Sequence, residues 1–395
     1  MEETANSTDH PSFLLMEGGP LFHLEERMGL ARRSAPLILR RAILAALVTW
    51  LPLLVLSFLQ GTAFGSEVPV SFCRDFSAYT RFLLAVPLLL LAETVIGPRI
   101  AEAAGHFITS GVVERSDFRQ FDEAVVRGLR LRDSVLAEII IAILAYIVSI
   151  TSFIATAVHV STWYSVRSGG GASLTWAGYW LLGVCMPLFH FLVLRWIWRL
   201  FLWFQFLGSI RRLNMQLFST HPDKAGGLGF VGETQRFFGM LLFAYSIGIT
   251  GVLANQIVYD KLPLKHFAPA IAAYAVAAVG IMVGPLIIFT GALLETKRHG
   301  LHQYGSLATA YTGAFQKKWI QGDNPNGEPL LGTGDIQSLA DLGNSYTFVE
   351  RMNAVPIDPR TLIHLAIASL LPMTPLLLTV MPLKDILKLL FKVLM

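Results

Sequence analysis

Four ionisable residues stand inside or beside otherwise apolar runs. Arg195 and Arg199 are four apart, so a helix places them on one face. Glu93 lies in the last third of one hydrophobic run, and Glu138 opens another. A charge next to hydrocarbon is costly unless it pairs, reaches water or changes protonation. These four residues therefore predict either ion pairs across the inner third of a helix bundle or a charged vestibule that attracts a small ion or solute. The competing structural reading lets the arginines snorkel to headgroups beside Trp196, Trp198 and Trp203.

A second concentration of polar chemistry is His221-Pro222-Asp223-Lys224-Ala225-Gly226-Gly227-Leu228-Gly229, followed by Glu233. Pro222 favours an extended His221, Asp223 can accept from the amides after it, and Gly226 and Gly227 tolerate positive φ. Such a loop either presents N–H groups to a phosphate or carboxylate or serves as a structural turn. It follows no strand and lacks Walker spacing, which excludes a nucleotide P-loop. His221, Asp223 and Glu233 could instead serve an enzyme at the inner leaflet. His190, Tyr245, Asn255, Gln256 and His364, alone in apolar surroundings, read as hydrogen-bonding links between helices. There is no HExxH, GxSxG, paired CxxC or Walker A pattern, so no catalytic residue, metal site or cofactor is assigned.

The elements that must hold these groups follow from composition. Of 395 residues 54% are hydrophobic and 15% charged, against about 25% charged in a soluble protein. The apolar residues gather in runs of about 20, enough helix at about 1.5 Å per residue to cross about 30 Å of hydrocarbon. The short alternating segments of a β-barrel are missing. The fold class is an all-α integral membrane protein with about seven transmembrane helices and amphipathic cytoplasmic helices.

The expected spans are 42–60, 81–98, 136–159, one starting at Trp176, 237–259, 268–294 and 361–381. They organise the chain as an N-terminal segment 1–41, a six-helix region 42–294 with loops 99–135 and 208–236, a helical subdomain 295–360, and a last span with an amphipathic helix in 361–395. Leu21, Leu24, Met28 and Leu30 predict a short surface helix after Gly18-Gly19-Pro20. Ser116 is the expected cap of a helix carrying Phe118, Phe121 and Val125. Leu301, Tyr304, Ala308, Tyr311 and Phe315 share one helical face, and Asp335 is the expected cap of a second helix over 336–352. Lys384, Lys388 and Lys392 form one stripe near the C-terminus. Cys73 and Cys185 lie in different environments and predict no disulfide.

Net charge is +4, yet the basic residues flank the hydrophobic runs, so they signal topology and no nucleic-acid partner. They cluster in 1–41, 99–135, 208–236 and 295–360, which puts the N-terminus in the cytoplasm and the chain in the plasma (inner) membrane. An odd number of spans leaves the C-terminus outside, unless Pro372, Pro375 and Pro382 fold the last one back. The implied partners are the lipid bilayer and a small ion or solute; a homo-oligomer is compatible. The leading function is a channel or transporter with a charged cytoplasmic vestibule. The alternatives are an inner-leaflet enzyme using the His221–Glu233 loop and a non-catalytic signalling or assembly component presenting 295–360.

Single cysteines in 99–135, 209–235 and 300–355 of a cysteine-free variant should resist an impermeant thiol reagent in intact cells, whereas those in 61–80 should react. Labelling of 300–355 from outside would reverse the orientation.

Overall fold

Hydrocarbon offers no partner to a backbone N–H or C=O, so the apolar runs keep their hydrogen bonds internal as helices. The computed structural model describes residues 10–27, 29, 35–65, 68–157, 162–168, 171–322, 327–329 and 331–380. Its helices are α1 (Pro20–Arg27), α2 (Ala35–Leu59), α3 (Phe76–Thr109), α4 (Phe118–Arg132), α5 (Val135–Ala157), α6 (Trp176–Ile210), α7 (Gly229–Tyr259), α8 (Leu264–Val283), α9 (Thr290–Phe315), α10 (Asp335–Glu350) and α11 (Pro359–Thr379). Among the described residues, seven helical runs are long and apolar enough to cross a membrane: α2, α3, α5, α6, α7, the run beginning with α8, and α11. The chain is an all-α polytopic membrane protein. The one sheet among the described residues is a hairpin of β1 (Ser165–Ser168) and β2 (Gly171–Leu174), which leads into α6.

Helix length sets the geometry. The apolar part of α5, Val135–Ile154, has 20 residues. At about 1.5 Å each it just covers a core of about 30 Å. By contrast α3 has 34 residues and α6 has 35. They reach about 50 Å and project some 20 Å beyond the core. The second span, expected over 81–98, is longer: it starts at Phe76, because Asp75 caps it by accepting from the Ser77 and Ala78 N–H groups, and runs on to Thr109. The surplus emerges on the face that carries the basic stretches, here the basic face; the opposite one is the distal face.

On the basic face α4 packs along α6, and the segment before α1 threads between them. Phe13, Leu15 and Met16 are buried there, with the Phe13 ring 4.4 Å from that of Phe206. Arg132 holds the carbonyls of Leu14 and Glu17, and the Gly19 N–H donates to Asp133 at 2.8 Å. This segment is thus part of the core, where sequence suggested only a tail followed by a surface helix. Met28, Leu30 and the lysine stripe at Lys384, Lys388 and Lys392 fall outside the described residues.

The two expected caps differ from sequence as well. Asp117, not Ser116, precedes α4, and its carboxylate accepts from the Asn214 N–H. Asp335 lies in the first turn of α10 and binds Lys318 Nζ (3.0 Å) and Trp319 Nε1 (2.9 Å), because Gly334 already occupies the cap position. The helix of span six does not stop near 294: after the narrow turn Gly284–Phe289 it continues as α9, which packs against α10.

Two wide π-turns interrupt the spans, Tyr79–Ala85 in α3 and Leu181–Cys185 in α6, each just ahead of a proline, Pro87 and Pro187. Proline has no N–H and crowds the carbonyl four residues earlier, so the helix opens there. The freed Gly183 carbonyl accepts from the Tyr146 hydroxyl at 3.1 Å, which ties α6 to α5.

Gly251 of α7 faces α3 so closely that an added Cβ would lie 2.9 Å from the Phe76 carbonyl oxygen and overlap Thr80 Oγ1. Gly251→Val should therefore lower thermal stability in detergent by about 1–3 kcal/mol through overpacking. Gly280→Val, whose Cβ would meet open space, should leave it unchanged. Equal effects would mean that close approach of α7 to α3 is not required.

Candidate functional site

Helix geometry brings Arg195 and Arg199 of α6 to Glu93 of α3 at the basic boundary of the core. Arg199 Nη1 donates to Glu93 Oε1 at 2.6 Å, and Arg195 Nη1 is 3.7 Å from the same oxygen. Arg195 Nε also lies 3.9 Å from Glu138 Oε1 of α5, so all four sequence candidates meet in one cluster. Two further residues join them. Arg41 of α2 donates to Glu93 Oε2 at 3.3 Å and to Glu25 of α1 at 2.9 Å. Glu138 also accepts from the Leu21 N–H at 2.8 Å, so the cluster holds α1, α2, α3, α5 and α6 together. Arg41, Glu93, Arg195 and Arg199 are each at most 6% exposed, enclosed by protein rather than extended towards headgroups. Trp196 is buried beside them and donates to the Leu89 carbonyl. Burial pushes the Glu25 carboxyl above its ordinary pKa, even though Arg41 pulls the other way.

The second feature lies at the distal boundary. A cavity of about 1000 Å³ is lined by residues including Arg81 and Phe82 of α3, Phe153 of α5, Trp163 and Tyr164, Leu181 and Met186 of α6, and Asn255 of α7. Both π-turns border it. At its edge the buried Asp75 carboxylate accepts from Asn255 Nδ2 (2.7 Å) and Trp163 Nε1 (2.8 Å) as well as from its two capping amides. Deeper in, His190 bonds Ser149 at 2.8 Å, joining α6 to α5, and Tyr274 bonds Ser246, joining α8 to α7.

The third feature is a cleft of about 970 Å³ on the basic face, lined by His106, Ser110, the His221–Gly229 loop, Glu233 and the chain from Arg351 to Arg360. The loop folds around its own acid. Asp223 accepts from the N–H groups of Ala225 (2.8 Å), Gly227 (3.1 Å) and Gly229 (2.8 Å), and His221 Nδ1 is 2.8 Å from Asp223 Oδ1. Burial disfavours the Asp223 charge, but these four donors prevail and hold its pKa below the ordinary aspartate value. Asp223 thus sits where an external anion would have to lie. Gly226 (φ 66°) and Gly227 (φ 100°) are left-handed, and so is Lys224 (φ 55°), whose carbonyl accepts from the Asn353 N–H at 2.7 Å. Glu233 lines the cleft from α7 and is exposed. His106 lies thirteen residues past Glu93 on α3, about 20 Å along the helix, so the cleft stands clear of the hydrocarbon.

No family model, curated protein or solved structure matches the chain. Among the described residues, no group of three or more His, Cys, Asp or Glu side chains is arranged to hold a metal ion, and both cysteines are free thiols.

Sequence missed Arg41, Glu25 and Arg81. Arg41 and Arg81 stand at the ends of hydrophobic runs, where a cation ordinarily marks the boundary. For Arg81 the missing signal was Asp75, a helix cap that moves the start of α3 to Phe76 and draws the arginine more than a turn inside.

Glu93 faces three arginines, so Glu93→Gln leaves their charges without their shared counter-ion. The loss should approach the about 3–5 kcal/mol seen when one member of a buried pair is removed. Adding Arg199→Gln should recover part of it, whereas Glu102→Gln, at the exposed Arg99 pair, should cost less than about 1 kcal/mol. A double-mutant cycle in detergent with no coupling between positions 93 and 199 would refute the contact.

Proposed function

We propose that this chain is a carrier that moves a small solute across the bilayer, with the distal cavity as its binding chamber and the charge cluster as its closed gate. The supporting observation is how far each feature extends. From Trp176 at the distal end of α6 to Met186 in the cavity lining is about 15 Å of helix, half the hydrocarbon thickness. From Met186 to Arg195 is about another 14 Å. An aqueous chamber that enters from one face and ends near the midplane, with a charged seal at the other boundary, matches one state of an alternating-access cycle.

The seal is also of a kind that can open. Arg195 Nη1, Arg199 Nη2 and Glu25 Oε2 are buried without hydrogen-bond partners, and a partly satisfied polar network is less stable than a complete one. Glu93, Glu138, Arg195 and Arg199 act in this reading as gate residues, and the vestibule expected from sequence becomes their open form. The basic face is taken as cytoplasmic and the membrane as the plasma membrane, on the distribution of Lys and Arg.

A second reading has one observation in its favour. The α9 and α10 pair exposes Leu307 (53%), Ile336 (50%) and Phe348 (41%), so this face could seat a partner in a membrane assembly. The inner-leaflet enzyme has less support, because the cleft that holds His221, Asp223 and Glu233 stands about 20 Å from the lipid core.

Proteoliposomes loaded with labelled benzoate, glycine and phosphate should release at least one of them faster than protein-free vesicles do. Met186→Trp, which fills the chamber, should slow that release at least tenfold. Equal leakage of all three with and without folded protein would count against a carrier, and stoichiometric recovery of one soluble protein with the chain would favour the assembly reading.

A further inference from the structure

Arg81 and Arg199 are both arginines within membrane helices, yet their surroundings differ. Arg199 meets a carboxylate at 2.6 Å. Arg81 forms no ion pair among the described residues. Its Nη1 points at the Met186 sulfur at 2.9 Å, its guanidinium carbon lies 5.4 Å from the Phe189 ring centroid, and its Nε is buried without a hydrogen-bond partner. A thioether is a weak acceptor, and a cation–π contact contributes about 0.5–2 kcal/mol, so neither replaces a counter-ion. Asp75 acts on Arg81 electrostatically, but its oxygens are already engaged by Ser77, Ala78, Asn255 and Trp163. A guanidinium with no carboxylate in direct contact at this depth is costly, and such residues face water-filled paths or ligands.

The setting of Arg81 specifies the ligand. It stands in the π-turn Tyr79–Ala85, a distortion common at functional sites, and it borders the cavity of about 1000 Å³. A planar guanidinium fork suits the two oxygens of a carboxylate or phosphate. Much of the wall is apolar and aromatic, with Phe82, Phe153, Trp163, Tyr164, Leu181 and Met186, while Asp75 and the exposed Asp260 and Lys261 also line the cavity. A cavity with Arg81 set inside a helix as a cationic anchor, a second cation in the exposed Lys261, and a largely aromatic wall suits a ligand with an anionic end and an apolar body.

We propose that the distal cavity is a binding site for a small organic anion whose carboxylate or phosphate group pairs with Arg81 and whose apolar body rests against Phe153, Trp163 and Tyr164. This names the substrate class of the carrier, and it rests on that reading only for transport. Binding stands or falls on its own. The same headgroup chemistry could come from an anionic phospholipid, so the test separates the two sources.

The experiment uses the full chain in nanodiscs of phosphatidylcholine, titrated by calorimetry with benzoate, phenyl phosphate and, as an uncharged control, benzamide. Benzoate or phenyl phosphate should bind saturably and benzamide should not. Arg81→Gln should weaken binding at least tenfold while leaving ligand-free melting unchanged or higher, because it removes a charge that has no partner. If Arg81→Gln does not fold, Met186→Trp keeps the charge, fills the cavity and should also abolish binding. Absence of saturable binding by either anion, or binding unaffected by these substitutions, overturns the proposal. Nanodiscs containing phosphatidylglycerol supply the lipid arm: loss of benzoate binding there, with Arg81-dependent retention of that lipid, would overturn the soluble anion in favour of a headgroup. In proteoliposomes, binding without flux would remove the carrier but keep the site. Flux that Arg81→Gln leaves unchanged would remove the site but keep the carrier.

Discussion

A guanidinium cannot rest against hydrocarbon without an anion or water, and that constraint shapes the basic half of this protein. Arg41, Arg195 and Arg199 converge on Glu93 from two helices, and Glu25 and Glu138 complete the neutralisation from two more. The cluster explains why the chain before α1 is folded inward. Glu25 reaches Arg41 only if α1 lies across the end of α2, and the Leu21 N–H meets Glu138 only if the preceding residues pass between α4 and α6. Phe13, Leu15 and Met16 then fill the space beneath. Their burial contributes about 1.5–3 kcal/mol per side chain, enough to offset part of the cost of desolvating the charges.

Length mismatch organises the rest. Because α3 and α6 outrun the bilayer by some 20 Å, their ends need a second core outside the lipid, built with α4, the start of α7 and the His221–Gly229 loop. The loop's architecture suits that task. Asp223 collects three backbone N–H groups, and Gly232 approaches the Pro356 carbonyl so closely that no Cβ would fit. Those donors are spent inside the loop, which makes it a clamp between α7 and the segment leading into α11. The same reasoning separates the cleft from the membrane chemistry. Its polar side chains belong to the extramembrane layer, while the cavity and the cluster belong to the membrane.

Much of this was legible in the residues. Hydropathy alone gives seven spans, since an apolar run of about 20 has few other solutions. The i, i+4 spacing of Arg195 and Arg199, with Glu93 and Glu138 at matching depth, predicts a meeting that the helices then make. What was not legible depends on long-range contact or on where a helix begins. Nothing local to Phe13 or Glu25 announces burial, because Phe13 packs on Phe206 far along the chain and Glu25 meets Arg41 only once α1 folds back on α2. Arg81 drew no attention because hydropathy starts the second span at 81 and does not see the capping role of Asp75. Ser116 and Asp335 were plausible caps by type, but the neighbouring Asp117 and Gly334 take those positions once the incoming chain is fixed.

The contrast between the two halves of the membrane links structure to function. At the basic boundary charges are crowded and nearly matched, three arginines against three glutamates. At the distal boundary Arg81 faces the cavity without a direct ion pair, the nearby Asp75 oxygens being held by four N–H groups. If both sites were structural, selection of the fold would gain nothing from leaving Arg81 unpaired, since an apolar residue there would pack at lower cost. An anion arriving from the distal face would supply the missing charge and add to the field at the cluster, about 15–20 Å further along α3 and α6. On the carrier reading proposed above, negative charge brought toward Arg195 and Arg199 would weaken their dependence on Glu93, so occupancy of the chamber and loosening of the seal would be favoured together. Coupling of that sign is what distinguishes a carrier from a binding pocket that happens to lie in a membrane.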